Sequence, residues 1–229
     1  MNLNRRELLA ALLAAAAPAA AAPAAAPATR EFRRQIPFYA GRSDLDAGIA
    51  CGRMVLSFFE PMEHFPVADV AEMTSYTEGH WFFEPQLVPI LAGKGRKPTL
   101  YSDLNYAELA AGRGLDRFGP EAEKMVDRKA LDWAAAHLNE NNRRPAVALP
   151  ALLEQLRSGG VLMIAADRAT LRSEPLLPYC RCHLIVTGFS SGAVRVHDPS
   201  RGPNLELPLP LATAAFGHPA AGRSALLVL

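Results

Sequence analysis

Two side chains suited to proton handling stand near the C-terminal end of the chain. His183 heads the apolar run His183-Leu184-Ile185-Val186-Thr187-Gly188-Phe189, and Asp198 lies in Val196-His197-Asp198-Pro199. Ser190-Ser191-Gly192, followed by Ala193-Val194-Arg195-Val196-His197, signals a hairpin between them. A hairpin folds the two positions together, so the sequence predicts a hydrogen bond from His183 to Asp198. A carboxylate that orients an imidazole is the base half of nucleophilic catalysis, and the other half is a hydroxyl or thiol held against the ring. Cysteine supplies three thiols, Cys51, Cys180 and Cys182. Cys51 sits among the apolar residues Ile49, Met54, Val55 and Phe58, as a small buried cysteine would. Tyr179-Cys180-Arg181-Cys182-His183, with His197, has the residue types of a metal site. In a strand, however, Cys180 and Cys182 point to one face and His183 to the other, so neither a metal nor a cofactor is expected. In an oxidising compartment one disulfide could form among the three, with no pairing specified.

The elements that must position these residues divide into two halves. Ile49, Ala50, Met54, Val55, Phe58 and Phe59 recur at the helical period from Ala47 to about Glu60, and Pro61 ends that helix. Val67 to Met73 suits a short helix, and Pro85 to Leu91 another, entered at Glu84-Pro85 and closed by Gly93 and Gly95. Thr99-Leu100-Tyr101 reads as a short strand. Pro120 to His137 reads as one amphipathic helix and Leu149 to Arg157 as a further helix stopped by Gly159-Gly160. After that come strands: Val161 to Ala166, the His183 and Ala193 hairpin, and Ser224 to Leu229. Helices first and an antiparallel sheet afterwards define an α+β domain.

The 229 residues are half hydrophobic with a formal net charge of +1, enough for one sizeable core and without the basic stripe that nucleic acid requires. The first 28 residues differ in composition. Asn4-Arg5-Arg6-Glu7-Leu8-Leu9 opens an Ala/Pro-rich tract ending in Ala26-Pro27-Ala28. A basic start, an apolar middle and a small-x-small end predict an export signal over 1–28, similar to a twin-arginine leader, and a folded domain over 29–229. The tract is mostly alanine and is broken by Pro18 and Pro23, so no stable membrane span is expected once the leader is removed. The location that follows is the periplasm or the medium.

Three patches together resemble a known family: Pro37-Phe38-Tyr39 and Asp44-Leu45-Asp46-Ala47-Gly48 leading into Met54-Val55-Leu56-Ser57-Phe58-Phe59, the strand headed by His183, and the turn carrying Asp198. They resemble the papain-like cysteine peptidases that remove double-glycine leaders from secreted peptides. The resemblance implies a papain-like fold, with a helical first half packed on the C-terminal sheet and a peptide for ligand. It also implies a catalytic cysteine at position 47, between Asp46 and Gly48, with a glutamine oxyanion donor at position 41. The chain has Ala47 and Gly41 there instead, and Ile49 where the family has proline. A methyl group cannot attack a carbonyl, and removing the oxyanion donor as well takes away the charge stabilisation that such chemistry needs.

On this reading the chain is an exported peptidase-like domain that holds a peptide or an extended segment of a secreted protein without cutting it. Asp46, Gly48, His80 and Trp81 are the expected cleft residues, with Thr77-Glu78-Gly79-His80-Trp81 as a loop bordering the groove, whereas Phe82 and Phe83 are expected in the core. A rival remains: an active cysteine peptidase or amidase in which Cys51 is the nucleophile, with His183 and Asp198, or in which a serine such as Ser43 is recruited.

Overall fold

The computed structural model describes residues 31–43, 45–174 and 177–229. The predicted leader, and Asp44 of the helix-start motif, lie outside them. Helix α1, Ala47–Phe59, follows the predicted periodicity and turns Ile49, Met54, Val55 and Leu56 into the core. Each such side chain contributes on the order of 2 kcal/mol by leaving water. The helix ends at Glu60, whose N–H still reaches the Leu56 carbonyl before Pro61 intervenes. Helix α2, Val67–Met73, comes next. A 3₁₀ turn, Glu84–Leu87, then feeds helix α3, Val88–Gly93.

The sheet contains β2 (Pro98–Tyr101), β3 (Arg143–Arg144), β4 (Val161–Asp167), β5 (Arg181–Phe189), β6 (Ala193–Asp198), β7 (Gly202–Pro208) and β8 (Ala225–Val228) in the order β3-β2-β8-β4-β5-β6-β7. The short strand β1, Phe32–Arg33, pairs with the far end of β5. Pairing is antiparallel except between β2 and β3. Strands β4 and β5 are buried along their whole length, because side chains cover both of their faces. On one face lie α1 and the other helices of the first half, with Phe82, Phe83, Met163 and Ile185. On the other lie helices Leu149–Leu156 and Leu209–Phe216, with Leu184 and Val186. The α+β architecture is thus as predicted, with the expected Leu149 helix and the unexpected Leu209–Phe216 helix forming a second layer behind the sheet.

The single helix predicted from Pro120 to His137 is two. Ala122–Met125 stops at Val126, which takes an extended conformation and bridges Trp81, and Arg128–Ala136 restarts behind Asp127, whose carboxylate accepts from the N–H groups of Lys129 and Ala130. A side-chain cap in mid-pattern restarts the helix even though the hydrophobic spacing runs through it. Strand β7 and the helix after it were also unforeseen, since Pro203, Pro208 and Pro210 masked their patterns. Among the described residues no helix is long and apolar enough to cross a membrane.

Candidate functional site

Ala47 begins α1, wholly buried, just after Asp46. A side chain built on Gly41 would lie 3.5 Å from the Ala47 nitrogen, and the Gly41 N–H donates to the Pro199 carbonyl at 3.0 Å. The helix start, position 41 and the turn after Asp198 are therefore neighbours. Cys51 lies one turn further into α1, fully buried in the core. Burial pushes its thiol well above the usual range, and the nearby charge of Asp198 adds to the effect. A thiol in that state is not a nucleophile. Ser43 is exposed, and its hydroxyl accepts from the Asp46 N–H at 3.3 Å rather than meeting an imidazole.

His183 and Asp198 are not hydrogen-bonded to each other, contrary to the hairpin argument. In the β5–β6 register Ile185 faces His197, so Asp198 alternates to the opposite face of the sheet from His183. There Asp198 meets Arg168, with Nη1 to Oδ2 at 2.6 Å, both side chains being 2 % exposed. The Ser200 N–H donates to the other carboxylate oxygen, and Arg168 Nη2 reaches the Ser200 hydroxyl at 3.0 Å.

His183 has a different carboxylate. Its Nε2 lies 3.1 Å from Oε1 of Glu84, at the head of the 3₁₀ turn. Glu84 has no exposure at all and accepts three further hydrogen bonds: Arg181 Nη2 donates to its two oxygens at 2.9 and 2.7 Å, and the Ser224 hydroxyl donates at 2.8 Å. Tyr106 and Ser102 extend the chain from Ser224 at 2.7 and 3.0 Å. The Arg181 guanidinium also lies over the Phe83 ring, 4.5 Å from its centroid. Burial alone would raise the Glu84 pKa. The Arg181 charge, the His183 hydrogen bond and the charge of the ring overcome that and bring it down to about 2. For His183 burial prevails over the attraction of Glu84, and its pKa falls below the usual histidine range. The pair therefore holds a carboxylate against a neutral imidazole, which can be an Nε2–H donor to Glu84.

Phe82 occupies the space between the helix start and this imidazole. Its Cβ lies 2.4 Å from where a Cβ on residue 48 would stand, so only glycine fits at position 48. Its ring meets His183 edge-on, with centroids 6.0 Å apart and planes at 84°, and leans on Tyr76. Tyr76 in turn donates to Asp46 at 3.3 Å, and burial together with that carboxylate pushes the phenol up to about 12. Gly48 is thus covered rather than lining a groove, and Asp46 is buried. Among the expected cleft residues only His80 and Trp81 reach the surface, both half-buried. Trp81 donates its backbone N–H to Met125 and packs edge-on against Phe118 and Tyr179, while Phe82 and Phe83 are core as predicted.

Among the described residues no disulfide joins Cys51, Cys180 and Cys182. Cys51 packs with the first-half helices and Cys182 with the layer behind the sheet, so the sheet separates these two thiols. The same alternation keeps Cys182 and His183 apart, and among the described residues no group of three or more His, Cys, Asp or Glu is arranged to hold a metal ion.

Sequence reasoning missed Glu84, Arg181, Arg168 and Phe82. The signal for Arg181 was present, because it shares a strand face with His183 and a buried strand arginine needs a carboxylate. Glu84 carries in sequence only the signal of a helix entry ahead of Pro85.

No family model matches the chain, and no curated protein matches it by sequence. Two solved structures align along most of it. A double-glycine-motif protease from an AMS/PCAT transporter, in complex with its leader peptide, is 13% identical with a TM-score of 0.48, over 88% of this chain and 96% of the other. A C39-like peptidase of Bacillus anthracis is 10% identical with a TM-score of 0.49, over 85% and 94%.

Proposed function

We propose that this chain is a non-hydrolytic, peptidase-like protein that acts outside the cytoplasm by binding a peptide or an extended segment of a secreted protein. The observation that carries the reading is Phe82 wedged between the start of α1 and His183, where a nucleophile would have to meet the imidazole. Three further features support it. Position 47 is a methyl group beside an unsubstituted position 41, the imidazole is committed to Glu84, and Asp198 is committed to Arg168. Binding and bond cleavage draw on separable interactions, so loss of the second leaves the first available. The half-buried Trp81, beside Tyr179 and His80, is the part of the predicted cleft that remains open to a ligand.

The test is incubation of the purified full chain with a panel of double-glycine leader peptides, read by mass spectrometry for cleavage and by fluorescence anisotropy for binding, alongside a thiol-reactive probe. Binding without cleavage, weakened by Trp81→Ala, and no labelling of native Cys51 are expected. Specific cleavage abolished by His183→Ala, with Cys51 labelled, would establish the enzyme instead.

A further inference from the structure

A cavity of about 440 Å³ opens at the other end of β5 from His183, lined by Arg33, Arg34, Gln35, Thr187, Arg195 and Asn204. Thr187 is four residues along the strand from His183, about 13 Å away at ~3.3 Å per residue. The cavity therefore lies apart from the region around Ala47.

Its walls are fixed by the backbone. The β5–β6 register shifts between Val186 and Gly188, and the Thr187 carbonyl there accepts from the Arg34 N–H at 2.8 Å. At Gly188, β1 passes so close that an added Cβ would stand 2.7 Å from the Phe32 carbonyl oxygen. Arg34 is thereby pinned at the cavity, its guanidinium carbon 5.5 Å from the ring centroids of both Phe32 and Phe58, and it donates to the Gly160 carbonyl. It has no carboxylate partner among the described residues. The opposite wall is equally constrained. Asn204 stands at φ +52°, outside the usual range for a side-chain-bearing residue. It is held there because its N–H donates to His197 Nδ1 at 3.0 Å and its side-chain oxygen accepts from the Thr187 hydroxyl at 3.2 Å. His197 Nε2, 2.9 Å from the Ile36 carbonyl, donates to it, so the ring is the neutral tautomer that can accept from Asn204. With its oxygen committed, the Asn204 amide leaves an NH₂ donor with no protein partner among the described residues.

The charge is unbalanced. Arg33 faces Glu31 at 2.5 Å, but both side chains are more than half exposed; Arg195 faces Glu206 at 3.6 Å, beyond hydrogen-bond range. The first pair is exposed on both sides and in the second Glu206 is exposed while Arg195 is part-buried, so both hold their partners weakly. Three guanidiniums thus meet two loosely held carboxylates and at least one unused neutral donor.

We propose that this cavity binds a small molecule carrying a phosphate monoester. Guanidinium forks match the oxygens of a dianionic phosphate, which can displace Glu31 from Arg33 and Glu206 from Arg195, whereas a monoanion only substitutes for one of them. The volume falls within the range of small-ligand sites.

Calorimetric titration of the full chain with phenyl phosphate tests this, with benzoate as the monoanion and phosphatidic acid vesicles as the lipid-borne source of the same group. Phenyl phosphate is expected to saturate at one per chain, benzoate to bind at least about tenfold more weakly, and the vesicles not to retain the protein. Arg195→Gln and Arg33→Gln should each weaken phenyl phosphate binding about tenfold, the loss of one charged hydrogen bond, with the unfolding midpoint unchanged. Equal affinity for benzoate, retention on vesicles without binding of phenyl phosphate, or unaltered binding in both variants would overturn the proposal.

Discussion

Glu84 and Arg181 allow the strongest quantitative test of how this site is held together. Glu84→Gln keeps the shape of the side chain but leaves the Arg181 guanidinium, 1 % exposed, without a counter-charge, and Arg181 Nε already lacks a partner. Breaking a buried ion pair in this way costs about 3–5 kcal/mol. Arg181→Met is expected to cost a similar amount, because Glu84 would stay buried with only His183 and Ser224 as donors. Removing both charges is a different perturbation. A neutral pair of similar volume avoids the desolvation that the ions suffer, so Glu84→Gln/Arg181→Met should be less destabilised than either single variant. Urea unfolding followed by the fluorescence of Trp81 and Trp133 reads the effect. With a slope of about 2 kcal/mol/M, the single variants shift the midpoint by about 2 M. A Glu84→Gln midpoint close to that of the parent, or a double variant equal to the sum of the singles, would refute the argument that the network is an ion pair taken out of water.

Acid should lower the stability of the protein over two pH ranges. The Glu84 pKa is lowered from 4.5 to about 2 in the folded state, so its contribution, on the order of 3 kcal/mol, is present above about pH 4.5 and lost as the pH falls towards 2. His183 is also lowered from 6.5, which means the unfolded chain takes up its proton first and stability begins to fall below about pH 6.5. Urea midpoints between pH 7 and 3 should fall throughout, most steeply below 4.5, and a flat profile would contradict both shifts. At the helix start, Gly48→Ala should cost about 1–3 kcal/mol by overpacking against Phe82, and adding Phe82→Leu should recover part of it. A thermal midpoint unchanged by Gly48→Ala would show that the wedge is loose.

Much of the scaffold was legible because its signals are local. The periodicity of Ile49, Met54, Val55 and Phe58 gave α1, and the continuous apolar runs at Val161 and His183 gave the buried central strands. What failed was also local in origin. The apolar spacing from Pro120 to His137 carried no mark of the break at Val126, where a bridge to Trp81 wins over helix continuation. Prolines hid β7 and the following helix. At the site, hairpin proximity correctly brought β5 and β6 together but could not say which face Asp198 would take.

Side-chain chemistry is fixed by sequence alone: a methyl group at position 47 cannot become a nucleophile in any fold, and the strand pattern already kept Cys182 and His183 on opposite faces. Partner choice is another matter. Glu84 meets His183 across 99 residues and Arg181 across 97, and Asp198 meets Arg168 across 30. Only the assembled sheet, with its register, decides those pairings, because the energy of a buried charge depends on what stands within a few ångströms of it after water has been excluded. The same holds for Phe82, whose position against Gly48 and His183 fills the space at the start of α1.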